Sequence, residues 1–304
     1  MIGREARVVV LTFHRILPDV DPLDPGTLDQ HDFERQLRWL QSHLPVVPLV
    51  EACDRLYGGT LARTVAAVSI DDGYMDNYEV ARPILARLGI PATCFVATGF
   101  MNGTAMFNDR ILGAVRASRR PSIDVTDLGL GVLPIGSVHD KRSALHRLVP
   151  LVKYMGLAER EATVARIEQA CEASMDAPAM MGPDELRGML RDGWDLGGHT
   201  RNHPILRMLD DADAAAEMCA SYDDLERVTG RAPRLFAFPN GRLGDDFDVR
   251  HARMAQQAGF DYAFTTMYGA ARRGGDRWQV PRVSTWQQSR LRFHLRLLKE
   301  TVGP

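Results

Sequence analysis

Cysteine is scarce in these 304 residues: there are four, at 53, 94, 171 and 219. No two are close in sequence, which excludes a zinc knuckle and a redox dithiol. Unpaired core thiols in a reducing compartment are the expectation. Charge of one sign is also lacking, with 37 Lys and Arg against 39 Asp and Glu and a net charge of −2. Nothing in that balance draws the whole chain to nucleic acid or to an anionic membrane. Long apolar runs are missing too. The first, Val8 to Leu11, is too short for a signal segment or a membrane span, and no small-residue cleavage site follows it. A cytoplasmic protein is therefore expected. What is present is ordinary globular composition, 45% hydrophobic and 25% charged, in a length that suits one α/β barrel over residues 1–304.

One pattern recurs along the chain: an amphipathic helix, a glycine, then a short apolar strand. Val80, Ile84 and Leu88 precede Gly89 and the run Ala92-Thr93-Cys94-Phe95-Val96. The same order surrounds Gly193, Gly230 and Gly259. Glycine suits the left-handed position that closes a helix. Apolar runs without alternation suit parallel strands covered on both faces. Further strands are expected at 7–13, 46–49, 65–70 and 279–283, about the number a (β/α) barrel needs. Residues 101–182 interrupt the rhythm by far more than a loop requires. They are expected to form an inserted, mainly helical subdomain, with Leu157, Val164, Ile167 and Cys171 on one helical face.

The polar residues of interest follow strands. Asp71-Asp72-Gly73 follows Val68-Ser69-Ile70; His199 to His203 follows Asp195 to Gly198. Pro239-Asn240-Gly241 follows Phe236-Ala237-Phe238; His14 follows Thr12-Phe13. In parallel α/β folds the C-terminal strand ends face one site. His199 and His203 are four apart, which on a helix turns both imidazoles to one metal. Each cluster alone also fits a capped helix or a turn. Together, two histidines and one carboxylate leave coordination positions open for water and substrate, as catalytic zinc sites require. A second carboxylate beside them sits where a general base belongs.

These motifs, Ser69-Ile70-Asp71-Asp72-Gly73, His199-Thr200-Arg201-Asn202-His203 and Phe236-Ala237-Phe238-Pro239-Asn240-Gly241, resemble the NodB-homology polysaccharide deacetylases, carbohydrate esterase family 4. The resemblance covers about residues 7–100 and 183–284. It implies a distorted (β/α)7 barrel, with Asp72, His199 and His203 as metal ligands and Asp71 as the base. The implied reaction is N-deacetylation of an amino sugar. Thr200 falls in the family's Ser/Thr position, which holds the histidine loop. The family's third motif often carries an Arg that tethers the catalytic Asp; here that place is Ala237, and Arg282 on the last strand is the substitute. The family's C-terminal Leu-Xaa-His has no match, since Leu291 to His294 has the wrong spacing. His14 is then the candidate acid, from strand direction alone.

The expected cofactor is one divalent metal, zinc first, with cobalt, nickel or manganese also suiting Asp and His ligands. A backbone N–H near Pro239, Asn240 and Gly241 is expected to help stabilise the oxyanion. The substrate is an acetylated amino sugar of a polysaccharide or its precursor. Two other readings stand beside it: a deformylase or deacetylase of a lipid- or nucleotide-linked amino sugar, and a catalytically silent sugar-binding barrel. The tail over 289–299 reads as an amphipathic helix, Leu291, Leu295 and Leu298 on one face, with Arg290, Arg292, Arg296 and Lys299 adding charge. Docking of that helix on the barrel is expected ahead of contact with a membrane surface.

Overall fold

A computed structural model of the chain describes residues 5–174, 180–284 and 289–302. Seven strands form one parallel sheet in the order Tyr262–Phe264, Leu235–Ala237, Asp195–Gly198, Ala92–Val96, Val65–Asp72, Val8–Phe13, Val283–Ser284. The sheet curls until its edges meet around one segment. Val280 bridges to Phe264 while Val283 pairs with Leu11. The result is the distorted seven-stranded barrel. All-parallel pairing puts every C-terminal strand end on one rim, where loops carry the chemistry.

Alternation along the strands divides the apolar residues between two cores. Val9, Leu11, Val68 and Ile70 pack with Phe33, Leu37 and Leu40 of the Gln30–Gln41 helix. Val8, Val10, Ala67, Phe95 and Phe264 face the other way and pack with Leu49, Ala52, Cys53 and Leu56. Period two also puts Asp71 on the face of Ala67 and Ser69, and Asp72 on the face of Val68 and Ile70. Gly89 and Gly230 close their helices at φ 63° and 69°, the left-handed cap expected of them.

Three expectations need correction. Residues 46–49 are not a strand: Val46 makes one isolated bridge to Ala66, and Leu49 opens the helix Leu49–Tyr57. Four apolar residues cannot separate the two readings, and the buried set Leu49, Ala52, Cys53, Leu56 has helical spacing. The strand expected at 279–283 is regular only at Val283–Ser284. Pro281 lies between the two pairings and has no N–H to give a ladder. Third, Leu291, Leu295 and Leu298 do not dock. In the helix Arg290–Val302 the buried side chains are Phe293, Leu297 and Glu300, and the three leucines are exposed.

Between the Ala92–Val96 and Asp195–Gly198 strands lie the inserted helices Phe107–Ala117, Val138–Lys153 and Leu157–Cys171, followed by the helix Pro183–Arg191 that leads into the second strand. A hairpin of Ser122–Val125 with Gly131–Pro134 joins them; its two strands escaped the sequence reading, which saw only a turn-rich piece. Ile111, Val115, Ile123, Leu148, Val164 and Ile167 share a core distinct from those of the barrel. Residues 175–179, near the end of the stretch expected as an insertion, lie outside the described residues. Cys53, Cys94 and Cys171 are buried, Cys219 is exposed, and all four are unpaired.

Candidate metal centre

Strand register brings the first two motifs together. Asp72 pairs with Val96, and Val96 with Gly198. Ala97 N–H donates to the Asp72 carbonyl at 3.1 Å and His199 N–H to the Val96 carbonyl at 3.0 Å. Asp72 and His199 are thus locked at one level of the sheet. The glycines before His199 permit the fit: a Cβ on Gly197 would stand 2.6 Å from the Phe95 ring, and one on Gly198 would stand 2.8 Å from Phe260.

His199 and His203 do not lie on a helical turn, as their spacing suggested. They sit in an irregular loop that bends at left-handed residues, Thr200 at φ 60° and His203 at φ 51°. Polar groups from three directions hold it. Thr200 Oγ1 donates to the His199 carbonyl at 2.6 Å and accepts from His203 N–H at 3.1 Å. The Glu217 carboxylate accepts from the N–H groups of Arg201 and Asn202 at 2.9 and 2.7 Å, and from Asn202 Nδ2 at 2.6 Å. Arg160, from the inserted helices, donates to the carbonyls of Asn202 and His203 at 2.7 and 3.1 Å. Of the five non-glycine residues described at positive φ, Asp72, Thr200, His203 and Asn240 belong to the predicted motifs. Such conformations persist only where surroundings over-determine them, and they cluster at functional sites.

The three side chains converge. Nε2 of His199 and Nε2 of His203 each lie 3.4 Å from Asp72 Oδ1. A metal-compatible set of one atom from each residue fits within 4.8 Å. His199 Nδ1 lies 2.7 Å from the Ala237 carbonyl; as a donor there it leaves the Nε2 lone pair facing Asp72. Burial pushes His203 down to about 3, with His199 and Arg160 adding to the effect against Asp72, so its imidazole is neutral. Burial opposes ionisation of Asp72, but His199, His203 and His14 outweigh it and hold the carboxyl below its usual range. Lone pairs and a carboxylate oxygen turned on one another repel unless a cation or proton lies between them. This donor set fits a divalent metal.

Asp71 stands beside this cluster, fully paired. Arg282, wholly buried, donates to Asp71 Oδ1 and Oδ2 at 2.7 Å each, to Ser69 Oγ at 3.2 Å and to the Thr265 carbonyl at 3.0 Å. Burial raises the Asp71 carboxyl, but Arg282 and His199 outweigh it and keep it ionised below the usual range. His14 Nε2 lies 4.0 Å from Asp71 Oδ2. His14, Asp72, Thr12, Tyr74 and Ser284 line a cavity of about 200 Å³.

The third motif sits next to these groups through the Ala237 carbonyl. Asn240, at φ 58°, and Gly241, at φ 70°, form a tight bend. The Gly241 N–H donates to the Pro239 carbonyl at 2.6 Å, which takes it out of the oxyanion role expected of this stretch. Proline has no N–H, so Asn240 is the one residue of the three left for it. Several residues of the surroundings were missed. Glu217 and Arg160 lie on ordinary-looking helical segments far from any motif. Tyr74 Oη donates to Asp109 at 3.0 Å, and Arg15 spans Asp76 and Asp109 at 2.8 and 3.2 Å. The Asp-Asp-Gly-Tyr run and the Arg after His14 were the only signals available for that network.

A family model described as polysaccharide deacetylase matches residues 142–263. Over 64 residues the chain is 31% identical to the peptidoglycan-N-acetylmuramic acid deacetylase PdaC of Bacillus subtilis, a match spanning 21% of this chain and 14% of that protein. Among solved structures, the Streptococcus pyogenes deacetylase PplD in complex with acetate superimposes with a TM-score of 0.64 at 18% identity, covering 98% of this chain and 99% of the other. IcaB from Ammonifex degensii gives 0.60 at 20% identity, covering 95% and 98%. At these identities the structural likeness establishes the fold.

Proposed function

We propose that this chain is a NodB-homology polysaccharide deacetylase that uses one divalent metal ion to remove the N-acetyl group of an amino sugar in a polysaccharide or its precursor. The observation that carries the proposal is the meeting of Asp72 Oδ1 with two histidine Nε2 atoms at 3.4 Å, beside an Asp71 clamped by Arg282. Asp72, His199 and His203 would hold the ion. When bound, such an ion supplies Lewis acidity, polarising an amide carbonyl and making a neighbouring water more acidic.

This chain's residues supply the rest. Arg282 occupies one lone pair on each Asp71 oxygen, so each keeps another, and the fixed carboxylate takes the proton of the attacking water. The C–N bond of the acetamide breaks, acetate leaves with the water oxygen, and the sugar nitrogen departs as an amine that must gain a proton. His14, whose Nε2 lies 4.0 Å from Asp71 Oδ2 and which lines the cavity, is assigned its delivery. The Asn240 N–H is assigned to the developing oxyanion. The inserted helices reach the same rim: Asn108 lines the cavity with Asp72, and Arg160 holds the histidine loop. They are assigned a part in choosing what reaches the metal, as rim loops do in barrels.

The test measures metal content and acetate release from N-acetylglucosamine oligomers together. The expected result is one divalent ion per chain, lost in His199→Ala and His203→Ala, with acetate release abolished by chelation. Full metal occupancy in both variants, or turnover indifferent to chelation, would sink the assignment.

A further inference from the structure

The helix Arg290–Val302 carries two apolar stripes. Phe293 and Leu297 are buried in the outer barrel core, with Phe293 against Trp39 at a ring-centroid separation of 5.6 Å. Arg7 Nη1 donates to the Glu300 carbonyl at 3.0 Å, and the Arg296 guanidinium stacks over Tyr268 at 4.0 Å. These contacts fix one side of the helix. Leu291 and Leu295 each stand two residues before a docked residue, Phe293 and Leu297, and Leu298 stands one residue after Leu297. Two residues are a rotation of roughly 200° about a helix axis. Leu291 and Leu295 therefore point nearly opposite to the docked side, Leu298 flanks them, about 100° round from Leu297, and the three are 67%, 56% and 51% exposed. Isolated exposed leucines are ordinary; a stripe of three on one helix face is an interaction surface.

Charge selects the occupant. Arg290, Arg292 and Lys299 are exposed on this helix, Arg296 is half-buried, and the helix's one acid, Glu300, is buried. The cationic face is local, because the whole chain is slightly acidic. A second copy laid against the stripe would set like charges against one another. An anionic lipid surface accepts both halves, acyl chains taking the leucines and headgroup phosphates the cations. Contact would be along the surface. The 13-residue helix is too short to cross a bilayer, and no helix among the described residues is long and apolar enough to do so.

We propose that the outer face of Arg290–Val302 docks this protein on an anionic phospholipid surface. The proposal does not depend on the reaction assigned above, since binding is measured without turnover. Full-length protein is sedimented with vesicles of phosphatidylcholine alone and of phosphatidylcholine mixed equally with phosphatidylglycerol. The wild type should bind the mixed vesicles, weakly or not at all the neutral ones, and less as salt rises. Leu291→Gln/Leu295→Gln/Leu298→Gln should lower partitioning by roughly tenfold per leucine buried in the interface. Arg290→Gln/Arg292→Gln/Lys299→Gln should lower it by roughly fivefold per cation, on mixed vesicles only. Both variants should keep the wild-type circular dichroism and melting temperature, because the replaced side chains are exposed. Failure of the wild type to bind mixed vesicles, or equal binding by the leucine variant, overturns the proposal. So does a wild-type dimer in light scattering that the leucine variant dissolves while vesicle binding persists.

Discussion

Arg282→Gln removes a cation and leaves Asp71 where it is. The wild-type guanidinium is wholly buried and makes four hydrogen bonds, two of them to Asp71 at 2.7 Å. An exposed pair would be worth about 0–1 kcal/mol. Breaking a buried pair from one side costs about 3–5 kcal/mol, since the surviving charge keeps its desolvation penalty. Burial decides between these figures, so the larger one is expected. The pH dependence should also invert. In the wild type, burial raises the Asp71 carboxyl but Arg282 and His199 outweigh it, so the folded pKa lies below the unfolded value. The pair's stabilisation is then present above the unfolded carboxyl pKa of about 3.9 and is lost as pH falls through the folded one. In the variant burial meets less opposition. The folded pKa rises above the unfolded value, and stability is lost as pH rises. Urea unfolding should therefore show a larger deficit near neutrality than near about pH 4. Adding Asp71→Asn removes the orphaned charge and should recover part of the loss at neutral pH. A deficit below about 1 kcal/mol, or one equal at both pH values, would refute the buried-pair argument.

Other perturbations separate the remaining roles. Asp71→Asn should retain metal but lose activity by roughly 10² to 10⁴, the usual worth of a general base; activity within a few-fold of wild type would leave Asp71 as a structural partner of Arg282. His14→Gln should change the pH–rate profile while leaving metal content intact, and an unchanged profile would remove His14 from proton delivery. Glu217→Gln weakens the acceptor for three N–H groups of the histidine loop, so metal affinity should fall by about 10- to 100-fold; unchanged affinity would mean that the loop holds its shape without that carboxylate. Asp109 is pushed up to about 6 by burial against the pull of Arg15 and Tyr74. Its contribution to stability is thus present below the unfolded pKa and lost as pH rises through about 6, so Asp109→Asn should flatten the stability–pH curve across that interval in calorimetry; an unchanged curve would exclude the shift.

The barrel was legible because its strands announce themselves. Val8–Phe13, Val65–Asp72 and Ala92–Val96 are buried along their whole length and mainly apolar, since a parallel sheet is covered on both faces, and glycines end the helices before several strands. Legibility failed where the signal is short or carried by pairing. Residues 46–49 were too few to distinguish a strand from the start of a helix. The hairpin Ser122–Val125 with Gly131–Pro134 has partners only by virtue of the inserted core, which no local pattern reveals. In the terminal helix, the leucine periodicity was real, but period does not say which of two apolar stripes faces the protein. Phe293 and Leu297 compete with Leu291, Leu295 and Leu298, and the docked pair includes the phenyl ring, which meets Trp39 at a tilt with centroids 5.6 Å apart.

The site shows the same division more sharply. The four-residue spacing of His199 and His203 pointed to a helical face, and the helix is not there, yet both Nε2 atoms reach Asp72. Spacing fixed only the reach of the chain: five residues can return to one point by a helical turn or by a bend through left-handed residues. The bend prevails because it is held from outside, by Glu217 on the N–H groups and Arg160 on the carbonyls. Those two residues are invisible to a reading of motifs, since each lies on its own helix and acts on backbone atoms, not on the imidazoles. Arg282 differs in kind. Its position beside a strand end in a parallel sheet already limited which rim it could reach, and a buried carboxylate in Asp71 required a cation nearby. A residue that answers a need of the site can be inferred from topology and charge; one that only shapes the loop beneath a ligand emerges when the backbone hydrogen bonds are traced.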